Sequence, residues 1–295
     1  MNLSRRQALG KIAAGTAAWM VSDVLSNRLS AAEKKLEPAM RGRINHSVCK
    51  WCFPDISLES LCKEAKGLGL GSIELLTVKD FPLLQKYGLE CGMVSGVPGG
   101  IPRGLNRVEN HDRIVEFFEA HIPLVAQSGF RVKNIICFSG NRDGMDDEEG
   151  LENCKKGLQR IMPLAEKHKV TLCMELLNSK VDHPDYMCDH TSWGAELARR
   201  VGSDRFKLLY DIYHMQIMEG DMIRTIRENQ QYIGHYHTAG VPGRNEIDQS
   251  QEIYYPAVMA AIAETGFDGY VAQEFIPKGN DKLGALAAGI KICDV

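Results

Sequence analysis

Four side chains of the kind that bind divalent metal ions each end a short apolar run of the chain. They are Glu175 in TLCME, Asp211 in KLLYD, His237 in IGHYH and Glu274 in YVAQE. Three carboxylates and one imidazole form a hard, oxygen-rich ligand set, which suits Mn²⁺ or Mg²⁺, and also Co²⁺, better than a structural zinc site built on thiolates. We therefore predict that these residues hold one divalent metal ion in a metal-dependent enzyme.

The elements that position these residues follow a repeating pattern. From about residue 43 the chain alternates short aliphatic or β-branched runs with longer amphipathic segments, which is typical of βα units. Eight such units can be counted, and the four residues end the last four strands. Because the carboxyl ends of parallel barrel strands converge on one face, we predict an α/β fold, a single (β/α)8 TIM barrel.

The predicted elements have the following bounds. Strands are expected at 45–49, 72–76, 90–94, 132–138, 170–176, 207–212, 233–237 and 270–275, and helices at 58–66, 113–126, 151–168, 193–201, 222–229 and 256–265. Two Gly-containing loops, 95–104 and 139–150, fall on the same face as the predicted metal ligands. Each is expected either to fold over a substrate or to be a plain surface connection.

The N-terminal segment is predicted to be separate from the barrel. The sequence SRRQAL at 4–9, a mildly apolar stretch at 12–21 and Ser-Ala-Ala at 30–32 resemble a twin-arginine export signal with a cleavage site. We expect a signal at 1–32, a linker at 33–42 and the catalytic barrel at 43–295. The protein would then be periplasmic or otherwise extracytoplasmic, and cytoplasmic if the signal is not used. The alternative is a basic amphipathic helix of the mature protein.

Composition excludes several classes of protein. A chain of 295 residues with 44% hydrophobic residues can bury a large core in one domain, and its net charge of −3 offers no basic stripe for nucleic acid. The apolar N-terminal stretch is shorter than the roughly 20 residues of a membrane span, so no stable span is expected after signal removal. The nine cysteines are an odd number and do not suggest a disulfide framework. The expected partner is a small molecule, and a homo-oligomer is compatible with the sequence.

Four segments carry motifs that can be compared with known families. They read ELLN at 175–178, DIYHMQ at 211–216, HYHTAGVPGRNE at 235–246 and QEFIP at 273–277. Together, over roughly 44–278, they resemble the sugar isomerase and epimerase superfamily with its xylose-isomerase-like barrel, and within it the hydroxypyruvate isomerase family. The resemblance implies that Glu175, Asp211, His237 and Glu274 bind the metal, with Glu175 and Glu274 as the acid/base pair. It also implies that His214 and Arg244 contact substrate.

Two positions depart from the patterns of this superfamily. The strand-seven ligand resembles Gln in several hydroxypyruvate isomerases, whereas His237 stands here, as in the ketose 3-epimerases. Those epimerases usually carry a further Glu six residues after the first ligand, where this chain has Val181. The resemblance therefore leaves the substrate open.

The chemistry expected of such a site is proton transfer between neighbouring carbons. A metal ion with open positions can chelate the carbonyl and hydroxyl oxygens of a hydroxy-ketone and stabilise the charge that develops on them. Two carboxylates can then remove a proton from one carbon and return it to the next, which would interconvert hydroxypyruvate and tartronate semialdehyde. Arg244 could bind the substrate carboxylate with two parallel hydrogen bonds, and Lys50 is a second candidate for this role. The alternative for Arg244 is a loop salt bridge with Glu246 or Asp248.

Other functions stay open on the same scaffold. A keto-sugar 3-epimerase would return the proton to the same carbon, and a lyase or dehydratase acting on keto-sugars or inososes would lose a leaving group after enediol formation. A non-catalytic sugar-binding protein is a third reading, which the presence of both Glu175 and Glu274 disfavours. Glu74, Trp51 and His235 are expected near the site, and the sequence assigns no role to them.

Overall fold

The structure, a computed structural model, describes residues 40–295. The predicted export signal at 1–32 lies outside the described residues, as does most of the predicted linker at 33–42. Within residues 40–295, no helix combines the length and the apolar character that a membrane crossing requires.

Seven parallel strands form one curled sheet. In chain order they are β1 (Asn45–Cys49), β2 (Ser72–Glu74), β3 (Asn134–Cys137), β4 (Thr171–Glu175), β5 (Phe206–Asp211), β6 (Ile233–Thr238) and β7 (Tyr270–Gln273). The order across the sheet is β2-β1-β7-β6-β5-β4-β3, with every neighbouring pair parallel. The predicted α/β TIM barrel is confirmed, with strands one or two residues shorter at several ends.

The predicted third strand, 90–94, is present as a pairing segment without a regular ladder. Val94 bridges to Leu76 on one side and to Ile135 on the other, so the segment joins β2 to β3 and closes the ring. The ladder is interrupted because the Gly92 amide donates to Ser72 Oγ at 2.8 Å, and because Leu75 has a left-handed backbone with φ of 56°. The prediction of eight regular strands is corrected to seven strands and this bridging segment.

Nine α-helices are present in the part of the chain that the structure describes. They are α1 (Leu58–Gly67), α2 (Phe81–Lys86), α3 (His111–Ala126), α4 (Asp147–His168), α5 (Thr191–Val201), α6 (Ile212–Met218), α7 (Met222–Asn229), α8 (Tyr255–Glu264) and α9 (Lys282–Cys293). Six of them were predicted within a few residues. The predictions omitted α2, α6 and α9, because α2 is very short, α6 follows β5 without a loop, and the apolar residues of α9 carry little helical periodicity.

The core is formed by both faces of the strands. β3 and β4 are almost entirely buried, as parallel strands covered by helices require. All nine cysteines lie in the described part of the chain, and each is buried with a free thiol. A buried thiol behaves as a small apolar group, so these cysteines act as packing residues.

Candidate metal centre

The four predicted ligands converge on one point at the carboxyl end of the barrel. Glu175 ends β4, Asp211 ends β5, His237 is the fifth residue of β6, and Glu274 directly follows β7. One ligand atom from each residue lies within 4.8 Å of all the others, and all four side chains are buried. The strand register produces this closeness, since Asp211 and His237 are direct partners across β5 and β6.

Asp211 is held by the start of α6. One carboxylate oxygen, Oδ1, accepts the backbone N–H of Tyr213 at 2.8 Å and of His214 at 3.3 Å, which satisfies two free amides at the helix N-terminus. The other oxygen, Oδ2, faces the centre and lies 3.4 Å from Arg244 Nη2. Burial raises the pKa of Asp211 to about 8, although the charge of Arg244 opposes this.

His237 presents its two ring nitrogens to different carboxylates. Nε2 lies 2.8 Å from Glu74 Oε1, while Nδ1 lies 2.8 Å from Glu274 Oε2 and 3.4 Å from Glu175 Oε1. Burial disfavours the charged ring, yet nearby acidic groups, chiefly Glu274, raise the pKa of His237 well above its usual value. Nδ1 is buried and makes no hydrogen bond with suitable geometry among the described residues.

Glu274 is held on both of its oxygens. Trp51 Nε1–H donates to Oε1 at 2.8 Å, and Arg244 Nη2–H donates to Oε2 at 2.6 Å. Burial alone would raise the pKa of this carboxyl group, but the charges of His237 and Arg244 outweigh it and hold the pKa well below the usual range. Glu274 is therefore an ionised carboxylate with a fixed orientation.

Arg244 reaches the centre from the loop after β6. Its backbone is left-handed with φ of 58°, directly after Gly243 with φ of 90°, and this turn directs the side chain inward. The guanidinium lies 5.2 Å from the Trp51 ring and 5.3 Å from the Tyr213 ring, within cation–π range. Its carboxylate partners are Glu274 and Asp211, and not the loop residues Glu246 or Asp248 considered from the sequence.

The other two predicted substrate contacts occupy different surroundings. His214 Nδ1 accepts the backbone N–H of Asn178 at 3.2 Å, and His214 Nε2 lies 3.0 Å from Arg244 Nη1. Burial, followed by the charge of Arg244, lowers the pKa of His214 well below its usual value, so the ring is neutral. Lys50 donates from Nζ to the carbonyl oxygen of Phe53 at 3.0 Å and does not line the cavity described next. The substrate-binding roles of both residues remain predictions.

A cavity of about 430 Å³ opens directly over the metal centre. Glu175, Glu274 and Arg244 line one side of it, and His183 contributes a further polar group. The cavity also has an apolar wall, which includes the side chains of Leu75, Val97, Ile101, Ile136 and Phe138. The predicted loop 95–104 forms part of this wall, whereas none of the cavity-lining residues comes from loop 139–150.

A second polar layer lies below the centre, inside the barrel. Glu74 Oε1 is 2.7 Å from His235 Nε2 and 2.8 Å from His237 Nε2, and Glu74 Oε2 accepts Ser47 Oγ–H at 2.9 Å. Burial would raise the pKa of Glu74, but the two histidines outweigh it and lower the pKa to about 2. A signal for this layer is present in the sequence, because Glu74 lies within the predicted strand 72–76 and His235 lies two residues before His237, on the same side of β6.

The residues at the centre fit a divalent metal ion. A buried imidazole nitrogen without a hydrogen-bond partner faces two carboxylates, and a third carboxylate completes the group. Three oxygens and one nitrogen can hold Mn²⁺, Mg²⁺ or Co²⁺, and a divalent charge would offset the repulsion among the acids.

The chain is similar to known proteins in both sequence and fold. The profile of a family described as a xylose isomerase-like TIM barrel matches residues 63–292. The 2-oxo-tetronate isomerase of Cupriavidus necator is 33% identical over 115 residues, which cover 39% of this chain and 44% of that protein. The hydroxypyruvate isomerase of Escherichia coli is 29% identical over 153 residues, covering 52% and 58%. Both alignments therefore span less than two thirds of the relative's length.

Among solved structures, an AP endonuclease of family 2 from Brucella melitensis superposes with a TM-score of 0.71. The superposition covers 84% of this chain and 97% of that chain, at 21% sequence identity. At this identity the similarity establishes a shared fold and carries no statement about activity.

Proposed function

The chain belongs to the xylose isomerase-like TIM barrel family, and from this premise we propose that it is a metal-dependent isomerase of small hydroxy-carbonyl compounds. Hydroxypyruvate, with tartronate semialdehyde as its product, is the first substrate to test. The observation that carries the proposal is the convergence of four ligand atoms within 4.8 Å at the floor of a cavity that Glu175 and Glu274 also line.

Glu175, Asp211, His237 and Glu274 would hold one Mn²⁺ or Mg²⁺ ion. When bound, a divalent ion supplies Lewis-acid stabilisation of the negative charge that develops on the substrate's carbonyl and hydroxyl oxygens. The donor set supports this assignment, because oxygen-rich sites with one imidazole are typical of these ions.

The proton transfer is assigned to the two glutamates that face the cavity. Glu274 is fixed on both oxygens by Trp51 and Arg244, so its orientation toward a bound substrate is set before binding. The Glu175 carboxylate lies 3.4 Å from His237 Nδ1, a longer contact than either of the two that hold Glu274, which leaves that group freer to take and return a proton.

Arg244 is the residue assigned to an anionic substrate. It is the only arginine or lysine that lines the cavity in the described part of the chain, and its planar fork can pair with a carboxylate. The names of the relatives support a keto-acid substrate, since hydroxypyruvate and 2-oxo-tetronate both carry a carboxylate beside the keto group.

A neutral keto-sugar is the second candidate substrate, and two observations favour it. The cavity of about 430 Å³ lies within the range of roughly 300–1,000 Å³ that is common for larger ligands, which is more space than a three-carbon acid fills. Arg244 is also already paired with Glu274 and Asp211, so a substrate carboxylate must share it. On this candidate the reaction would be a 3-epimerisation or a dehydration.

Proton NMR in D₂O tests the two candidates together. Metal-stripped protein would be reloaded with Mn²⁺ at trace level and mixed with hydroxypyruvate, 2-oxo-tetronate or a panel of ketohexoses. Metal-dependent loss of the hydroxypyruvate methylene signal with formation of tartronate semialdehyde supports the leading proposal. Exchange at C3 of a ketohexose without any change in hydroxypyruvate supports the second candidate, and no exchange in any compound refutes both.

We also infer export of the chain from its N-terminal segment, on the basis of the SRRQAL sequence at 4–9. A bacterial host with a functional twin-arginine pathway provides the test, in which the full chain and an Arg5→Lys, Arg6→Lys variant are compared by fractionation. The inference is supported if the wild type is exported and the variant is not. It is contradicted if both proteins stay in the cytoplasm.

A further inference from the structure

The second polar layer, formed by Glu74, His235 and Ser47, lies directly under the metal centre. Glu74, His235 and His237 are each fully buried, and one carboxylate oxygen, Glu74 Oε1, serves both histidines at 2.7 and 2.8 Å. A carboxylate in this position is costly to bury unless its oxygens are fully used. The contacts within this layer therefore satisfy the buried carboxylate of Glu74.

Hydrogen-bond chemistry fixes which nitrogen of each ring carries a proton. An ionised carboxylate only accepts, so both Nε2 atoms must donate to Glu74. A divalent ion that binds at Nδ1 requires this nitrogen to be unprotonated, so the metal-loaded ring carries its single proton on Nε2 and its lone pair on Nδ1, the nitrogen that faces Glu175 and Glu274. If Nε2 carried no proton, its lone pair would face the carboxylate at 2.8 Å, which is repulsive.

The surroundings prevent Glu74 from leaving this position. Its second oxygen, Oε2, accepts Ser47 Oγ–H at 2.9 Å. On the other side lies Gly92, where an added Cβ would come within 2.8 Å of Oε2. Glu74 is thus enclosed by β1, its own strand β2 and the bridging segment 90–94, while it contacts His235 and His237 of β6.

We propose that Glu74 is a positioning residue that fixes the tautomer and ring orientation of His237, so that Nδ1 is presented to a divalent metal ion. This inference rests on the metal site of the proposed function. Carboxylates that orient ligand histidines typically contribute about 10–100-fold in metal affinity. An imidazole ligand has a second ring nitrogen that needs a partner, and Glu74 supplies that partner at 2.8 Å.

Calorimetric titration of Mn²⁺ into the metal-stripped full chain tests the inference. Glu74→Gln keeps the shape of the side chain, and we expect it to weaken Mn²⁺ binding by about 10–100-fold. Ser47→Ala is the matched control, because it removes a hydrogen bond from Oε2 without touching either histidine, and it should leave Mn²⁺ affinity within about threefold of the wild type. Far-UV circular dichroism checks that each variant is folded.

A double-mutant cycle separates an effect through His237 from a general effect of the lost charge. In a His237→Gln background, adding Glu74→Gln should change Mn²⁺ affinity by less than about threefold, because no imidazole remains to be oriented. If Glu74→Gln weakens Mn²⁺ binding as much in the His237→Gln background as it does alone, the positioning role is overturned. It is also overturned if Glu74→Gln alone leaves Mn²⁺ affinity unchanged. Failure of the wild type to bind Mn²⁺ refutes the proposed metal site and the inference with it.

A measurement on the wild type covers the case in which Glu74→Gln does not fold. In the Mg²⁺-loaded chain with ¹⁵N-labelled histidine, long-range ¹H–¹⁵N correlation spectra report which nitrogen of His237 is protonated. We expect a proton on Nε2 and none on Nδ1. A proton on Nδ1 overturns the inference independently of any variant.

Discussion

Replacement of Arg244 by Ala is predicted to destabilise the metal-free protein strongly and the metal-loaded protein much less. The Arg244 side chain is 13% exposed and lies 2.6 Å from Glu274 Oε2 and 3.4 Å from Asp211 Oδ2. Its removal takes away one of the two positive charges that offset these buried carboxylates beside Glu175, and leaves only that of His237. Breaking a buried pair in this way typically costs about 3–5 kcal/mol. The lower end is expected here, because Asp211, with its raised pKa, can take up a proton.

This cost can be read from thermal unfolding. For domains of about 150–250 residues, Tm falls by roughly 2–4 °C for each kcal/mol of stability that is lost. The metal-free variant should therefore melt roughly 6–20 °C below the metal-free wild type. A bound divalent ion restores positive charge among the same carboxylates. Added Mn²⁺ should therefore raise the Tm of the variant by more than it raises that of the wild type.

The assay is differential scanning calorimetry in EDTA and in excess Mn²⁺. Arg199→Ala is the matched control, because Arg199 forms an exposed ion pair with Glu196 and its loss should give no resolvable change in Tm. The reasoning is refuted if metal-free Arg244→Ala melts within roughly 2 °C of the wild type. Equal stabilisation of both proteins by Mn²⁺ would refute the charge argument specifically.

Three further predictions concern catalysis, pH and packing. Glu175→Gln and Glu274→Gln should each lower kcat by about 10²–10⁴-fold on whichever substrate is turned over, while circular dichroism stays unchanged. Burial lowers the pKa of His46 from its usual 6.5 to about 4, so the native state binds fewer protons than the unfolded chain between these values. The free energy of unfolding should therefore fall by up to about 3 kcal/mol as pH drops from 6.5 to 4, measured by urea titration. Gly104→Ala should cost about 1–3 kcal/mol, because a Cβ there would clash with the carbonyl oxygen of Phe138.

Each of these predictions has its own control. Near wild-type turnover by both Gln variants would contradict the two-carboxylate mechanism. His46→Asn should flatten the pH dependence of stability, and an unchanged slope in this variant would assign the dependence to other groups. Gly67→Ala is the control for Gly104→Ala, since nothing lies within 4 Å of a Cβ at Gly67. Equal stability of the two alanine variants would contradict the predicted clash.

The sequence by itself determined the elements of the barrel and the residues at its centre. Strand and helix propensity, the length of apolar runs and the βα rhythm are local properties, so they predicted six of the nine described helices and placed every barrel segment. The four acidic and imidazole residues could be identified because each ends an apolar run. Parallel strands bring their carboxyl ends to one face, and the structure places these residues together there.

Only the tertiary structure decided which polar groups contact one another. Arg244 pairs with Glu274 because the left-handed backbone at Gly243 and Arg244 turns the loop inward, and a sequence shows only that Glu246 and Asp248 are nearer along the chain. The contact of Glu74 with His237 joins residues 163 positions apart. Such pairs depend on strand register, barrel closure and loop path, which are set by the packing of the whole chain and not by any local segment.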